Sequence, residues 1–329
     1  MKKFLQFSLT ALFITVAISC SNRGDIKTIS TEILNHKYFP QLASASGVEY
    51  FNDNIYLVGD DLPYLFQLDE TLNIIGKQKI AGIDSIVNGR TPKSIKSDFE
   101  SMALLEEAGE KQLLILSSGS KKIKRDTAFL LSLTGSDKVF KKNMRPIFDA
   151  IKQEAGLKPN NKINIEGLAF SEDYAYFLHR GNVSENFIIE INSNQLLAFV
   201  KSETDWVPTL KVYSFDLPGD KGVASGFSGA CVLPGHSGLL FTASLENTTN
   251  EIDDGEVLGS YLGFVFFAKM KEGKFVAELI TESGKILQKK QEGVTIKSIN
   301  GDKVIIFTVC DNDDGSSDLY EIELKINHE

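Results

Sequence analysis

Asn164-Ile165-Glu166-Gly167-Leu168-Ala169-Phe170 runs into the turn Ser171-Glu172-Asp173, the apolar run Tyr174 to Leu178, and the polar group His179-Arg180-Gly181-Asn182. The phrase is an acidic anchor, a strand-like run, a turn, a second run and a polar cluster, and it recurs. The first copy is Gly47-Val48-Glu49-Tyr50-Phe51, Asn52-Asp53-Asn54, Ile55 to Val58, then Gly59-Asp60-Asp61. The second opens Asp98-Phe99-Glu100-Ser101 and continues through Leu113 to Leu116 into Ser117-Ser118-Gly119-Ser120. The fourth opens Gly226-Phe227-Ser228-Gly229 and ends Ser244-Leu245-Glu246-Asn247. The fifth opens Gln291-Glu292-Gly293-Val294 and ends Cys310-Asp311-Asn312. Anchors therefore fall at 49, 100, 166, 228 and 292, with Ser228 standing where the others have Glu.

Each copy is followed by a third strand-like run: Tyr64 to Leu68, Ala128 to Leu133, Phe187 to Ile191, Tyr261 to Ala268 and Leu319 to Leu324. A fourth run follows in four of them: Ile74 to Ile80, Val139 to Asn143, Lys211 to Leu217 and Lys274 to Ile280. Four short strands per unit, separated by turn residues, describe a propeller blade. The last unit ends one strand short, and Ile26 to Leu34 supplies the missing one. The expected fold is all-β, a five-bladed β-propeller of four-stranded antiparallel blades whose ring is closed by an N-terminal strand. A two-sheet sandwich is the alternative that strand spacing alone leaves open. Two insertions interrupt the pattern. Pro146 to Gly156 reads as a short helix burying Ile147, Phe148 and Ile151. Asn247 to Ser260 reads as a long acidic loop.

Ahead of the repeats lies Met1-Lys2-Lys3, then an apolar stretch of 16 residues, Phe4 to Ser19, closing on Ala17-Ile18-Ser19-Cys20. That stretch is short of the ~20 residues a spanning helix needs. It resembles the lipobox of bacterial lipoproteins, in which Cys20 is lipidated and becomes the new N-terminus; an ordinary secretory signal is the alternative. The division expected is 1–19 signal peptide, 20–30 lipidated cysteine and tether, and 31–329 a single propeller. The location expected is the bacterial cell envelope, periplasmic or outer-membrane associated, with the membrane met through the lipid anchor. Cys231 and Cys310 are left either as one disulfide or as buried thiols.

The chain carries 35 Lys and Arg against 44 Asp and Glu, a formal charge of −9 that becomes −11 once the two leader lysines are removed. So acidic a surface opposes nucleic acid, whose phosphates need clustered basic residues. It suits cations. In a propeller blade the start of the first strand meets the end of the second at one face. Glu49, Glu100, Glu166 and Glu292 are thus expected around one mouth of the central channel, with Ser228 in the fourth slot. Asp60, Asp61, Ser118, Arg180, Asn182, Glu246, Asn247, Asp311 and Asn312 are expected in the next ring. Crowded carboxylates protonate, pair with cations or bind metal. Hard oxygen donors favour Ca²⁺ or Mg²⁺, with Glu49, Glu100, Glu166, Glu292, Asp60 and Asp311 as the candidate ligands. The competing explanation is architectural: strand-start Glu residues accept hydrogen bonds from the neighbouring blade.

Asp98-Phe99-Glu100, Asn164-Ile165-Glu166-Gly167 and Gln291-Glu292-Gly293-Val294 resemble the repeated Asp/Asn-x-Glu-Gly motif of the exported phytase-type esterase-like propellers and of the SdiA-regulated propellers. The chain also resembles a family of lipoprotein propellers for which no substrate follows. The resemblance implies an extracytoplasmic propeller with an acidic, metal-binding funnel. The leading function is binding of a divalent cation and a small ligand in that funnel. The alternatives are a metal-assisted hydrolase of phosphate esters or lactones, with His179 and Arg180 as catalytic candidates, and a protein-interaction platform. No Gly-x-Ser-x-Gly elbow, His-Glu-x-x-His helix or phosphate-cradling loop is present. Cys310 to Glu321 partly imitates a calcium loop but reads better as a solvated acidic turn.

Overall fold

A computed structural model describes residues 26–135, 138–181, 185–247 and 255–328. Cys20, the leader, Asn182 and the centre of the acidic loop lie outside the described residues. Five four-stranded antiparallel sheets stand in a ring. Blade I is Ala45–Phe51, Asn54–Gly59, Tyr64–Asp69 and Ile74–Lys79. Blade II is Phe99–Glu107, Glu110–Ser117, Thr127–Ser132 and Val139–Asn143. Blade III is Ile165–Phe170, Tyr174–His179, Asn186–Asn192 and Leu210–Phe215. Blade IV is Val223–Leu233, Gly238–Asn247, Glu256–Phe266 and Phe275–Leu279. Blade V joins Lys290–Asn300, Lys303–Asp311 and Ser317–His328 to the N-terminal strand Ile26–Phe39. The five-bladed propeller read from the repeat is the fold, and the closing strand is the one expected, extended to Phe39. It starts at Ile26, so residues 26–30, assigned to the tether, belong to the propeller instead.

The first strands of the five blades neighbour one another around the axis. Between successive blades the sheet faces enclose five separate apolar cores. The predicted helix is α1 (Arg145–Glu154), with Pro at its start and Ile147, Phe148 and Ile151 fully buried between blades II and III. A second helix, α2 (Ser193–Val200), was not expected. Asn192 caps it by accepting from the Gln195 N–H at 3.1 Å, and Leu196, Leu197, Phe199 and Val200 enter the same core. Cys231 and Cys310 are both free thiols in the core between blades IV and V.

One irregularity fixes the channel. In every blade the pairing of first and second strands slips at the same place: between Ala45 and Gly47, Phe99 and Ser101, Ile165 and Gly167, Phe227 and Gly229, and Gln291 and Val294. The residues left out of the ladder are Ser46, Glu100, Glu166, Ser228, and Glu292 with Gly293. Bulges of this kind re-aim a side chain and end regular pairing. The glycine that follows the bulge has its own reason. A Cβ at Gly229 would lie 2.1 Å from the Glu292 carbonyl oxygen, and one at Gly293 would lie 2.7 Å from that of Ser46. First strands of adjacent blades pass too closely there for a side chain.

Candidate functional site

The bulges bring three layers of residues from each blade to one mouth of the channel. Two residues ahead of the bulge stand Ser44, Asp98, Asn164, Gly226 and Lys290. The carbonyls of Ser44, Asp98 and Asn164 accept the N–H groups of Asp60, Ser118 and Arg180 at 2.9, 3.0 and 2.9 Å, tying the second strand's end to the first strand's start. The blades therefore repeat their backbone faithfully while their side chains differ.

Blades I and II form one half of the mouth. Asp60 and Asp61 follow the second strand of blade I, and Asp98 and Glu100 open blade II. Lys96, on the segment linking the two blades, places its ammonium 2.5 Å from Asp60 Oδ2, 3.0 Å from Asp61 Oδ1 and 3.3 Å from Asp98 Oδ1. Arg90 grips Asp61 at 2.5 Å and Arg125 grips Asp98 at 2.9 Å. Four carboxylates thus face three cations. Asp98 also accepts from the hydroxyls of Ser118 and Ser120. Asp60 Oδ1, shielded from solvent, has no hydrogen-bond partner among the described residues. The Glu100 carboxylate makes no hydrogen bond or short ion pair with any described residue, and Lys96 acts on it through its charge alone. Burial pushes the carboxyl of Glu100 well above its ordinary pKa, and the charges of Asp98, Asp60 and Glu166 add to it. Burial does the same to Asp60, against the pull of Lys96 and with the push of Asp61, Asp98 and Asp311.

Oxygens of Asp60, Asp98 and Glu100 lie within 4.8 Å of one another. An ion holding oxygens at 2.0–2.6 Å spans about that separation. The donors are all hard carboxylates, the set that suits Mg²⁺, Ca²⁺ or Mn²⁺. This trio is an acidic cluster with the spacing of a metal site, and it leaves the identity of the metal open.

Blades III to V form the other half. Arg180 reaches Glu166 at 2.8 Å and, across the blade boundary, Glu246 at 2.7 Å. It crosses over Gly226, where a Cβ would meet the Arg180 chain at 2.6 Å. Lys290 pairs with Glu292 at 3.0 Å, and Asn164 donates to Glu166 at 2.6 Å. Burial raises Glu292 to about 7 despite Lys290. In blade IV, Ser228 donates to the Gln291 carbonyl at 2.6 Å and receives from Ser244 at 3.2 Å.

Of the expected ligands, Asp60 and Glu100 stand in the trio, joined by Asp98. Glu166 and Glu292 are at the same mouth, engaged by Arg180 and Lys290. Asp311 lies near enough to act on Asp60 and accepts from the Asp313 N–H at 2.8 Å. Glu49 is elsewhere. The residue equivalent to Glu100 in blade I is Ser46, and Glu49 sits three residues further along the channel strand. There it accepts from the Leu104 N–H at 3.0 Å and the Thr295 hydroxyl at 2.8 Å, linking blade I to blades II and V. For Glu49 the architectural explanation holds. The pair Ser46-Gly47 was the legible signal, because it matches Ser228-Gly229 and Glu292-Gly293. Lys96, Arg90 and Arg125 were missed, since they lie on inter-strand segments outside the repeated phrase.

His179 is 1% exposed, stacked on Phe187, with Nδ1 3.0 Å from the Asn164 nitrogen. Burial lowers its pKa to about 4, so it is neutral at pH 7 and shut away from the funnel. The calcium-like segment is a tight turn between strands. The Asp311 and Asp314 side chains accept local backbone N–H groups, Asp318 is held by His36 and Lys289, and Glu321 pairs with Lys297.

The model of a family of unknown function, DUF6929, matches residues 41–324, and the chain belongs to that family. The match is to this family rather than to the phytase-type or SdiA-regulated propellers that the Glu-Gly phrases resemble. No curated protein sequence matches. Among solved structures the chain is similar to the glutaminyl cyclase of Myxococcus xanthus, at 10% identity and TM-score 0.50, over 92% of this chain and all of that one. It is also similar to the α-L-arabinanase of Cellvibrio cellulosa, at 12% identity and TM-score 0.47, over 86% of this chain and 91% of that one. At such identities the first likeness is one of fold, and the second carries no argument.

Proposed function

We propose that this DUF6929 propeller is a cation-binding protein of the bacterial cell envelope. In this reading Asp60, Asp98 and Glu100 hold one divalent cation, Ca²⁺ or Mg²⁺, at the funnel mouth, and the cation's open positions receive a small ligand. The supporting observation is the trio with its unanswered oxygens: Asp60 Oδ1 has no hydrogen-bond partner among the described residues, and the Glu100 carboxylate has neither a hydrogen bond nor a short ion pair there. Two carboxyls whose proton affinity is raised by burial and by neighbouring carboxylates are stabilised by a divalent ion in place of protons. The hydrolase alternative loses His179 as a base, because the ring is buried against Phe187, and is left with a funnel carboxylate in that role.

Calcium or magnesium is expected to raise the melting temperature progressively, by mass action, and to bind with a stoichiometry of about one in calorimetry. Glu100→Gln keeps the shape, removes one ligand charge, and is expected to weaken binding about tenfold or more, on the scale of one lost charge–cation contact. Superimposable wild-type melts in chelator and in calcium would sink the reading.

The envelope location rests on the lipobox-like leader. Ile26 pairs with His328 at one end of the closing strand, while Phe39 pairs with Ser317 beside the funnel turn at the other. A lipid on Cys20, joined by a stretch spanning at most roughly 20 Å, would leave from the face opposite the funnel. The acidic mouth would then open away from the membrane. Cys20→Ser is expected to move the protein from the membrane fraction to the soluble one, with loss of the lipid mass from the wild-type N-terminus. Equal partition of the two proteins counts against the anchor.

A further inference from the structure

We infer that Lys96 is the resident counter-cation of the Asp60–Asp98–Glu100 site and sets its affinity for a divalent ion by competing for the same carboxylates. This deepens the reading of the funnel as a cation site and rests on it.

The division of labour among the three cations carries the argument. Arg90 and Arg125 each hold a single acid, Asp61 and Asp98 respectively, and each has further partners that fix it. Arg90 donates to Ser44 Oγ at 3.1 Å and to the Asp313 carbonyl at 3.2 Å, and Arg125 lies 3.4 Å from Ser120 Oγ. Lys96 is different. Its ammonium faces Asp60, Asp61 and Asp98 together, and it is the cation that neutralises Asp60. The Lys96 ammonium therefore stands among oxygens that a metal needs.

Charge accounting gives the consequence. With Lys96 in place, this half of the mouth carries one uncompensated carboxylate, Glu100. Without it, Asp60 joins Glu100, and the two negative charges match one divalent ion. An ion coordinated by Asp60 and Asp98 would also lie within a few ångströms of the ammonium, and charges that close repel strongly in a partly desolvated site. Entry of the ion is thus coupled to departure of the ammonium. The segment that delivers Lys96 suits this exchange. It is a turn closed by Ile95 and Lys96 N–H groups on the Pro92 carbonyl at 2.9 and 3.1 Å, followed by Ser97 before blade II resumes. Lys96 is outside the ladder, so its side chain can leave without unpairing a strand.

Calorimetry with calcium on chelator-treated wild type, Lys96→Met and Lys96→Arg tests this, alongside melts of each protein in chelator and in calcium. Lys96→Met is expected to bind calcium about tenfold or more tightly than the wild type. It should melt lower than the wild type in chelator and recover in calcium. Lys96→Arg, which keeps the charge, should stay near wild-type affinity. A lysine that is only a structural ion pair predicts a lower melt without recovery. If the wild type binds and Lys96→Met binds no better, the inference fails while the cation reading stands. If Lys96→Met binds and the wild type does not, the reading of the wild-type protein as a cation binder falls, and what stands is that Lys96 occupies the carboxylates a cation would use. Binding by neither overturns both. Should Lys96→Met not fold, Lys96→Gln is read in the same way, and failure of both with calcium present throughout expression overturns the inference.

Discussion

Deleting residues 26–39 is expected to abolish the cooperative propeller rather than fray one blade. Ile26–Phe39 pairs with Ser317–His328 along its whole length. Removing it leaves a twelve-residue edge of unpaired N–H and C=O groups on blade V. It also takes Ile26, Ile29 and Phe39 out of two cores: the isoleucines from the one between blades IV and V, Phe39 from the one between V and I. Each such side chain contributes about 1.5–3 kcal/mol when fully buried. Three of them approach the whole net stability of a typical domain, about 5–15 kcal/mol. The topology adds to this loss. Blade V is built from both ends of the chain, so its closure holds blade I against blade V. The measurement is a circular-dichroism melt with size-exclusion chromatography of the truncated protein. A broad or absent transition and an expanded or aggregated species are expected. A truncated protein melting within a few degrees of the full chain would show that the strand is dispensable.

The strand pattern was open to reading because a blade face packs on its neighbour by alternation, and alternation is a local property. Val139–Asn143 and the starts at Tyr64 and Ile74 fall where the apolar runs place them. Helix α2 escaped because Leu196 to Val200 is an apolar run as compatible with a strand as with a helix; the cap at Asn192 decides it. The site was partly legible for a different reason. Glu100, Glu166 and Glu292 repeat because the bulge repeats, and the bulge is written as a residue followed by a small one. Placing Glu49 with them mistook the nearest acid for the bulge residue, where the glycine was the better guide. Asp98 lay inside the second phrase yet was passed over, since the feature that recurs across the blades is the Glu two residues later. Here the slip between them and the left-handed backbone at Asp98, φ 58°, bring both to one cluster. Lys96 had no pattern to betray it. Its partners are set by where an irregular inter-blade segment crosses the mouth, and no periodicity encodes that path.

Glu49→Gln is expected to stabilise the protein at pH 8 and to change little at pH 4. Burial raises the Glu49 carboxyl from 4.5 to about 7, outweighing the hydrogen bonds from Leu104 and Thr295 that favour the ionised form. The unfolded chain returns the group to its ordinary value. Between those two values the folded protein binds more protons than the unfolded one, so stability falls as pH rises through the window from about 4.5 to 7. The full difference is on the order of 3 kcal/mol, and the wild type bears it above pH 7. Glutamine has the same shape and no charge. Its carbonyl oxygen can accept from the Leu104 N–H, and its amide can donate to the Thr295 hydroxyl. The variant should therefore gain up to about 3 kcal/mol over the wild type at pH 8, and the gain should vanish towards pH 4. Glu292, also raised to about 7, keeps part of the pH slope in both proteins. Glu49→Ala serves as the contrast. It orphans a buried N–H and a hydroxyl and opens a cavity, costing about 2–4 kcal/mol at pH 4, and at pH 8 loss of the buried charge offsets about 3 kcal/mol of that. Urea unfolding of the three proteins at pH 4 and pH 8 measures these differences. A Glu49→Gln protein that is weaker than the wild type at pH 8 would mean that the hydrogen bonds from Leu104 and Thr295 to the ionised carboxylate outweigh the cost of burying it. Calcium separates the two kinds of glutamate in this channel. Glu49→Gln should keep the wild-type response to the ion because its carboxylate binds the strands of blades II and V, whereas Glu100→Gln should lose most of it.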